Sequence, residues 1–263
     1  MNLVILRESE KKILDFKIVR DIIKIKDIKE AKILEDGIGY IRLVEFREGT
    51  PKEFSTALGS LQKQGMNALI LDLRNNPGGL LDTAAKVAQN FIENCKVIVS
   101  TRGRKNVQDL EFISHANRPI TDLPTVVLIN EGSASGSEIV AGALQDYKRA
   151  IIVGTKSFGK GSVQTVIPLS DGSALRLTTS KYFTPLGKEI HGKGVIPDIT
   201  VEEGKIELAK KIDTGLAANP DEVFESLENK EKKPLEAKAQ DYKTDNQLMR
   251  AVDILKALRV YKK

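Results

Sequence analysis

An α/β fold built on a crossover sheet is what this sequence predicts, and three observations carry the prediction. Short apolar runs recur at residues 39–44, 68–73, 96–99, 125–129 and 150–153, glycine-bearing turns follow several of them, and amphipathic helical patterns fill intervals between them. Strands alternating with helices in this way pack as a sheet whose connections cross over it as helices. With 263 residues and 41% hydrophobic content, the chain can bury one large core and still carry appendages.

Residues 3–6 and 16–28 open the chain as strands, the second with partial period-two alternation. A hairpin and a trailing strand cannot cover both faces alone, so this piece leans on the body or closes a module whose first half is missing. After a strand at 39–44, Thr50-Pro-Lys-Glu53 combines a capping box with proline at the first helical position. Phe54, Leu58 and Leu61 then recur at helical spacing until Gly65 stops the helix.

Residues 68–73 read as a buried parallel strand, 72–79 as a turn, and a helix runs from Leu80 to about Glu93. The strand at 96–99 continues the alternation, and the polar stretch 102–122 reads as a hairpin or long loop. The strand at 125–129 leads to a helical pattern that begins at Ser137, and a further strand lies at 150–153. From 161 to 201 the pattern changes to strands and turns, with runs at 162–167, 174–178 and 182–188. Beyond Gly204 the chain is rich in lysine and glutamate, with a linker near 228–234 and a final amphipathic helix from 245 to about 258. Its Leu248, Val252, Leu255 and Leu258 share one side, suited to docking on the body or to self-association.

Composition narrows the partners. The charge of +5 comes from 41 basic and 36 acidic side chains spread along the chain, too balanced to argue for nucleic acid. Cys95 is the single cysteine, so no intrachain disulfide forms, and with only His115 and His191 beside it a Cys/His zinc site is not expected. The two histidines read as exposed loop residues and Cys95 as a helix-end residue. No cofactor is expected. No apolar run reaches the length of a membrane span, and the N-terminus lacks the pattern of a signal peptide.

The chemistry concentrates on Ser135, inside Glu131-Gly-Ser-Ala-Ser-Gly-Ser-Glu138, and Lys160, inside Ser157-Phe-Gly-Lys-Gly161. Ser135 falls at a strand-to-helix junction, where the first backbone N–H groups of the helix are free. A serine hydroxyl needs a base, and lysine supplies one only if burial disfavours its charged form. In an extended stretch Lys160, Ser162 and Gln164 share one face, so Gln164 is positioned to hold the amine. Oxyanion donors are suggested at Gly136 and in the Gly78-Gly79 turn, without a choice between those two glycines. Asp146 lies eleven residues along the helix, a rise of roughly 16 Å, which gives it a structural, ion-pairing or capping role.

Three of these strings, Leu71-Asp-Leu-Arg-Asn-Asn-Pro-Gly-Gly-Leu80, the run from Asn130 to Asp146, and Gly154-Thr-Lys-Ser-Phe-Gly-Lys-Gly-Ser-Val-Gln164, together with Gly37-Ile-Gly-Tyr-Ile-Arg42 and Gly192-Lys-Gly-Val-Ile-Pro-Asp198, resemble the carboxyl-terminal processing proteases, or tail-specific proteases, of serine peptidase family S41. The resemblance runs from Lys29 to Val201. It implies a crotonase-like core, Ser135 as nucleophile, Lys160 as general base, Gln164 as its positioning partner and an indirect role for Asp146. It also implies a remnant of a PDZ module and linker strand at 1–28, a protease core at 29–203 and a C-terminal helical extension at 204–263. The carboxylate-binding half of the PDZ module is absent, through a shortened chain or a native lack of it. Expected partners are proteins or peptides with exposed C-terminal tails, with an adaptor or self-association as further options, in a cell-envelope setting, periplasmic or extracytoplasmic.

Two rival readings exist. Gly154 to Lys160 almost fits a phosphate-binding loop, but Gly161 replaces the hydroxyl residue that would hold magnesium and strand-like sequence follows where a helix must begin. The same core could also serve as a non-catalytic peptide-binding module, and the presence of both Ser135 and Lys160 weighs against it.

Overall fold

A computed structural model describes residues 1–21, 26–103, 109–116, 123–204 and 242–261, so the expected linker at 228–234 and parts of the 102–122 stretch lie outside the described residues. In chain order the elements are β1 (Asn2–Arg7), β2 (Lys12–Lys17), β3 (Ile28–Ile33), β4 (Ile38–Leu43), α1 (Thr50–Lys63), β5 (Ala68–Asp72), α2 (Leu81–Ala88), β6 (Val97–Gly103), β7 (Leu110–Ile113), β8 (Thr125–Ile129), α3 (Gly136–Asp146), β9 (Ile151–Gly154), β10 (Ser162–Pro168), β11 (Ala174–Phe183), β12 (Ile199–Thr200) and α4 (Asn246–Tyr261).

Six strands form the central sheet in the order β12-β9-β8-β5-β4-β3, parallel except for β3, which runs antiparallel at one edge. β5 and β8 are buried at every position, as expected of apolar parallel strands covered on both faces. On one face, Phe54 and Leu58 of α1, Val87 of α2 and Val140 and Leu144 of α3 pack onto Ile41, Leu69, Leu71 and Val127. On the other, Leu248, Ala251, Val252 and Leu255 of α4 cover Tyr40, Ile70, Val126 and Leu128. The final helix therefore docks within its own chain. Phe54 and Phe91 add a tilted ring contact at 5.9 Å in the first layer.

A second, antiparallel sheet has the order β10-β11-β6-β7. The strand expected at 96–99 to extend the alternation belongs here instead, because the chain after it folds back and pairs β7 against β6 directly. The run at 174–178 continues as one ten-residue strand, β11, which has a register shift opposite Val163 and Gln164 and ends at Phe183, so 184–188 of the second expected run lie outside it.

Three local expectations are corrected. The strand read across 16–28 is two elements, since β2 ends at Lys17 and β3 begins at Ile28, with 22–25 outside the described residues. The capping box at Thr50 does not form. Gly49 is the N-cap, the Thr50 hydroxyl donates to Asp27 Oδ2 at 2.6 Å, and Glu53 Oε2 accepts the Asp27 N–H at 3.3 Å, so both side chains tie the helix to the preceding segment. Finally, α2 stops at Ala88, short of Glu93, where the Asn90 amide turns back to donate to the carbonyls of Lys86 and Val87 and competes with further helical bonding.

The β1–β2 hairpin leaves Val4, Leu6 and Ile13 exposed. Among the described residues no helix is long and apolar enough to cross a membrane. Because Leu255 is fully buried in the layer formed by α4, Leu255→Ala is expected to cost about 2–5 kcal/mol in a urea titration. Val260→Ala, at an exposed position of the same helix, should stay within about 0.5 kcal/mol of the parent.

Candidate active site

β8 ends at Ile129, and the chain turns sharply before entering α3, with Ser135 as the N-cap. Ser135 sits at φ 52° and ψ −110°, a conformation rarely taken by a residue with a side chain, so the turn holds it there under strain. The restraints are visible. The Ser133 hydroxyl donates to the Leu73 carbonyl at 2.8 Å, the Ala134 N–H to the Asn76 carbonyl at 3.0 Å, and the Ser137 hydroxyl to that same carbonyl at 2.9 Å. The turn between β5 and α2 is thus bolted to the turn that carries the serine.

Glycine is required at the contact. Gly78 has φ +100°, and a β-carbon there would stand 2.6 Å from the Ser135 Cβ; one on Gly79, at φ +146°, would stand 2.0 Å from the Phe46 carbonyl oxygen. The Gly78 N–H donates to Asn76 Oδ1 at 2.9 Å. Of the three candidate glycines for the two donors expected from the sequence, Gly78 has its N–H engaged, while those of Gly79 and Gly136 have no hydrogen-bond acceptor among the described residues.

Lys160 reaches the same place from a different element. Its N–H and that of Ser135 both donate to Oε2 of Glu138, each at 2.9 Å, so the two amide nitrogens lie within twice that distance of each other. Oε1 of Glu138 accepts the Gly159 N–H at 2.6 Å and the Ser157 hydroxyl at 2.5 Å, and Ser157 in turn accepts the Val195 N–H at 2.7 Å. Glu138 is fully buried. The motif alone gives this glutamate no role, although Ser135 and Glu138 have the spacing of a capping box, the signal that could have found it.

The Lys160 side chain is exposed, and no hydrogen bond joins its Nζ to Ser135 Oγ. The shelter expected around this amine is not supplied by the described residues. Its backbone is held by flanking bonds, Gly192 N–H to the Gly159 carbonyl and Tyr182 N–H to that of Gly161, while the side chain projects outward. Gln164 lies two residues into β10, exposed and opposite Thr178. β10 starts at Ser162, so a strand follows Lys160 where a phosphate-binding loop would need a helix. Asp146 accepts the Leu186 N–H and pairs with Lys188, each near 2.9 Å, at the far end of α3. His115, His191 and Cys95 are exposed, and among the described residues no three His, Cys, Asp or Glu side chains gather as a metal site.

Behind the turn lies a second polar cluster that the sequence reading did not identify. Arg74 donates from Nε to Asp72 Oδ1 at 3.0 Å and pairs through Nη2 with Asp72 Oδ2 at 2.7 Å, while Tyr40 donates to Asp72 Oδ2 at 2.8 Å. From the C-terminal segment come Asp245 and Gln247, each 3.0 Å from Nη1. Burial raises the Tyr40 pKa, and Asp72 raises it further. Burial would lower that of Arg74, yet its bonds to Asp72 and Asp245 raise it. Burial likewise opposes ionisation of Asp245, but Arg74 and the N–H groups of Leu248 and Gln247 hold its pKa below the usual value.

The turn thus presents a strained serine with free backbone donors, and one carboxylate ties its backbone to that of Lys160. The model of Peptidase family S41 matches residues 37–201, and the chain belongs to that family. It is 50% identical over 220 residues to a carboxy-terminal-processing protease of Bartonella bacilliformis, covering 82% of this chain and 50% of that protein. A probable CtpA-like serine protease of Staphylococcus epidermidis is 41% identical over 207 residues, covering 79% and 41%. The chain thus spans about half the length of the curated relatives it matches. Among solved structures, the photosystem II D1 C-terminal processing protease superposes with a TM-score of 0.61 at 32% identity, over 76% of this chain and 55% of that one.

Glu138→Ala would leave four donors unpaired, two in buried and two in part-buried bonds, and a loss of at least ~3 kcal/mol is expected in chemical denaturation. Asp245, with its depressed pKa, stabilises the docked C-terminal segment fully above the ordinary aspartate value of about 3.9. That contribution is lost as pH falls through the depressed value. Amide exchange in the first turn of α4 should therefore quicken in acid, and Asp245→Asn should flatten the response.

Proposed function

We propose that this chain is the catalytic part of a serine endopeptidase that cleaves proteins near their C-terminal tails through an acyl-enzyme on Ser135. The observation that carries the reading is the single carboxylate of Glu138 holding the backbones of Ser135 and Lys160. In this reading the Ser135 oxygen attacks the scissile carbonyl and gives its proton to neutral Lys160. The N–H groups of Gly79 and Gly136 receive the oxyanion, and Gln164 orients the amine. Collapse of the tetrahedral intermediate breaks the C–N bond as Lys160 passes the proton to the leaving amine, and water, deprotonated by the same lysine, releases the acyl group.

A lysine base needs its amine kept from water, and Lys160 is exposed. The mechanism therefore assigns the bound polypeptide a second task, covering Lys160 and removing its water. The N-terminal hairpin is read as the closing strands of a PDZ module that captures carboxylate tails, and the setting as the cell envelope, both supported by the family resemblance. An adaptor or self-association would act through surfaces outside the site. The exposure of Lys160 also favours one second reading, a resting or purely peptide-binding form of the same fold.

Turnover of unfolded casein separates the two. The chain should cleave it, whereas Ser135→Ala and Lys160→Ala should each lower kcat by about 10³-fold or more. Equal residual cleavage in all three proteins would remove the enzyme reading and leave binding.

A further inference from the structure

We infer that Asp245 and Gln247, at the entrance to α4, are positioning residues for the active site and act through Arg74. The inference rests on the reading of Ser135 as nucleophile. Arg74 opens the turn whose Asn76 and Gly78 hold the serine, and its guanidinium is shared between the end of β5 and the segment that enters α4. Asp72 takes one edge; Asp245 takes the other, with Oδ1 3.0 Å from Nη1 and Oδ2 2.8 Å from Nη2, and Gln247 Oε1 adds a third acceptor at 3.0 Å. Gln247 is fully buried and is fixed by its own bond from Nε2 to the Val201 carbonyl at 2.8 Å. Asp245 Oδ1 also accepts the Leu248 N–H at 3.0 Å, so one side chain caps α4 and clasps Arg74.

This latch differs from the rest of the docking surface in what it fixes. Ala251, Val252 and Leu255 are fully buried further along the helix and supply apolar area that holds α4 on the sheet without reference to the active-site turn. The polar end instead gives direction, because paired bonds to a planar guanidinium set its orientation as well as its place. Two residues beyond Arg74, the Asn76 carbonyl accepts from Ala134 and Ser137, and its side chain accepts the Gly78 N–H. A buried guanidinium that loses half its acceptors has to find new ones or reach water. Either movement shifts this turn against Ser135, and a displacement of about 1 Å at a reacting centre costs roughly 10²-fold in rate.

The test compares the latch variant Asp245→Asn/Gln247→Leu with Leu255→Ala, which weakens the same helix without touching Arg74. On unfolded casein, at a temperature where melting curves show each protein folded, the latch variant should lose about 10- to 100-fold in kcat with KM within about threefold. Leu255→Ala should keep its kcat, and Asp245→Glu should recover part of the loss. If the double variant does not fold, the single isosteric change Asp245→Asn takes its place. Unchanged kcat in the latch variant, or equal losses in latch and control, overturns the inference. Hydrogen exchange at the Gly78 amide is read in the same proteins. Should the parent chain fail to cleave at all, the catalytic reading falls, and the latch is judged by exchange alone: faster exchange in the latch variant than in the control supports it, and equal exchange overturns it.

Discussion

The structure depends on a carboxylate placed where no water can reach it. Glu138 is fully buried at the first turn of α3, and its two oxygens collect three backbone N–H groups and one hydroxyl from two segments of the chain. An acceptor with four donors offsets much of its own desolvation, and each donor would be costly to leave unpaired. The chain after β9 therefore cannot wander from the serine turn. Position at this site is a backbone property first, with the Ser135 and Lys160 side chains carried on frames that the glutamate has already registered.

Around that point the fold is built in layers. A parallel sheet delivers the ends of β5 and β8 side by side, which is where α/β proteins place their ligands, at the carboxyl ends of strands. The two turns that follow are then cross-bonded, serine to leucine carbonyl and alanine amide to asparagine carbonyl. Helices on one face and α4 on the other close the core, so the site is supported from both sides of the sheet. β10, an edge strand of the second sheet, begins just after Lys160.

Much of this was legible in the residues. The apolar runs at 68–73 and 125–129 are continuous because both faces of those strands are covered, and continuity is visible in a sequence. Leu248, Val252 and Leu255 marked the side of α4 that meets the sheet. What could not be read depended on long-range polar pairing. Thr50 and Glu53 have the spacing of a cap yet answer to Asp27, and Arg74 finds acceptors 171 and 173 residues away. Nothing in local periodicity encodes such partners. That the Asn76 side chain claims the Gly78 amide and not that of Gly79 was likewise invisible. β3 escaped for a simpler reason: as an antiparallel edge strand with alternate residues solvated, Ile-Lys-Glu-Ala-Lys-Ile carries few apolar side chains.

The backbone of Ser135 carries a further implication. At φ 52° and ψ −110° a side chain costs about 1–3 kcal/mol that glycine would not incur. The fold taken alone would be more comfortable with glycine there. In the proposed reading of Ser135 as nucleophile, stability and chemistry therefore pull in opposite directions at this one position.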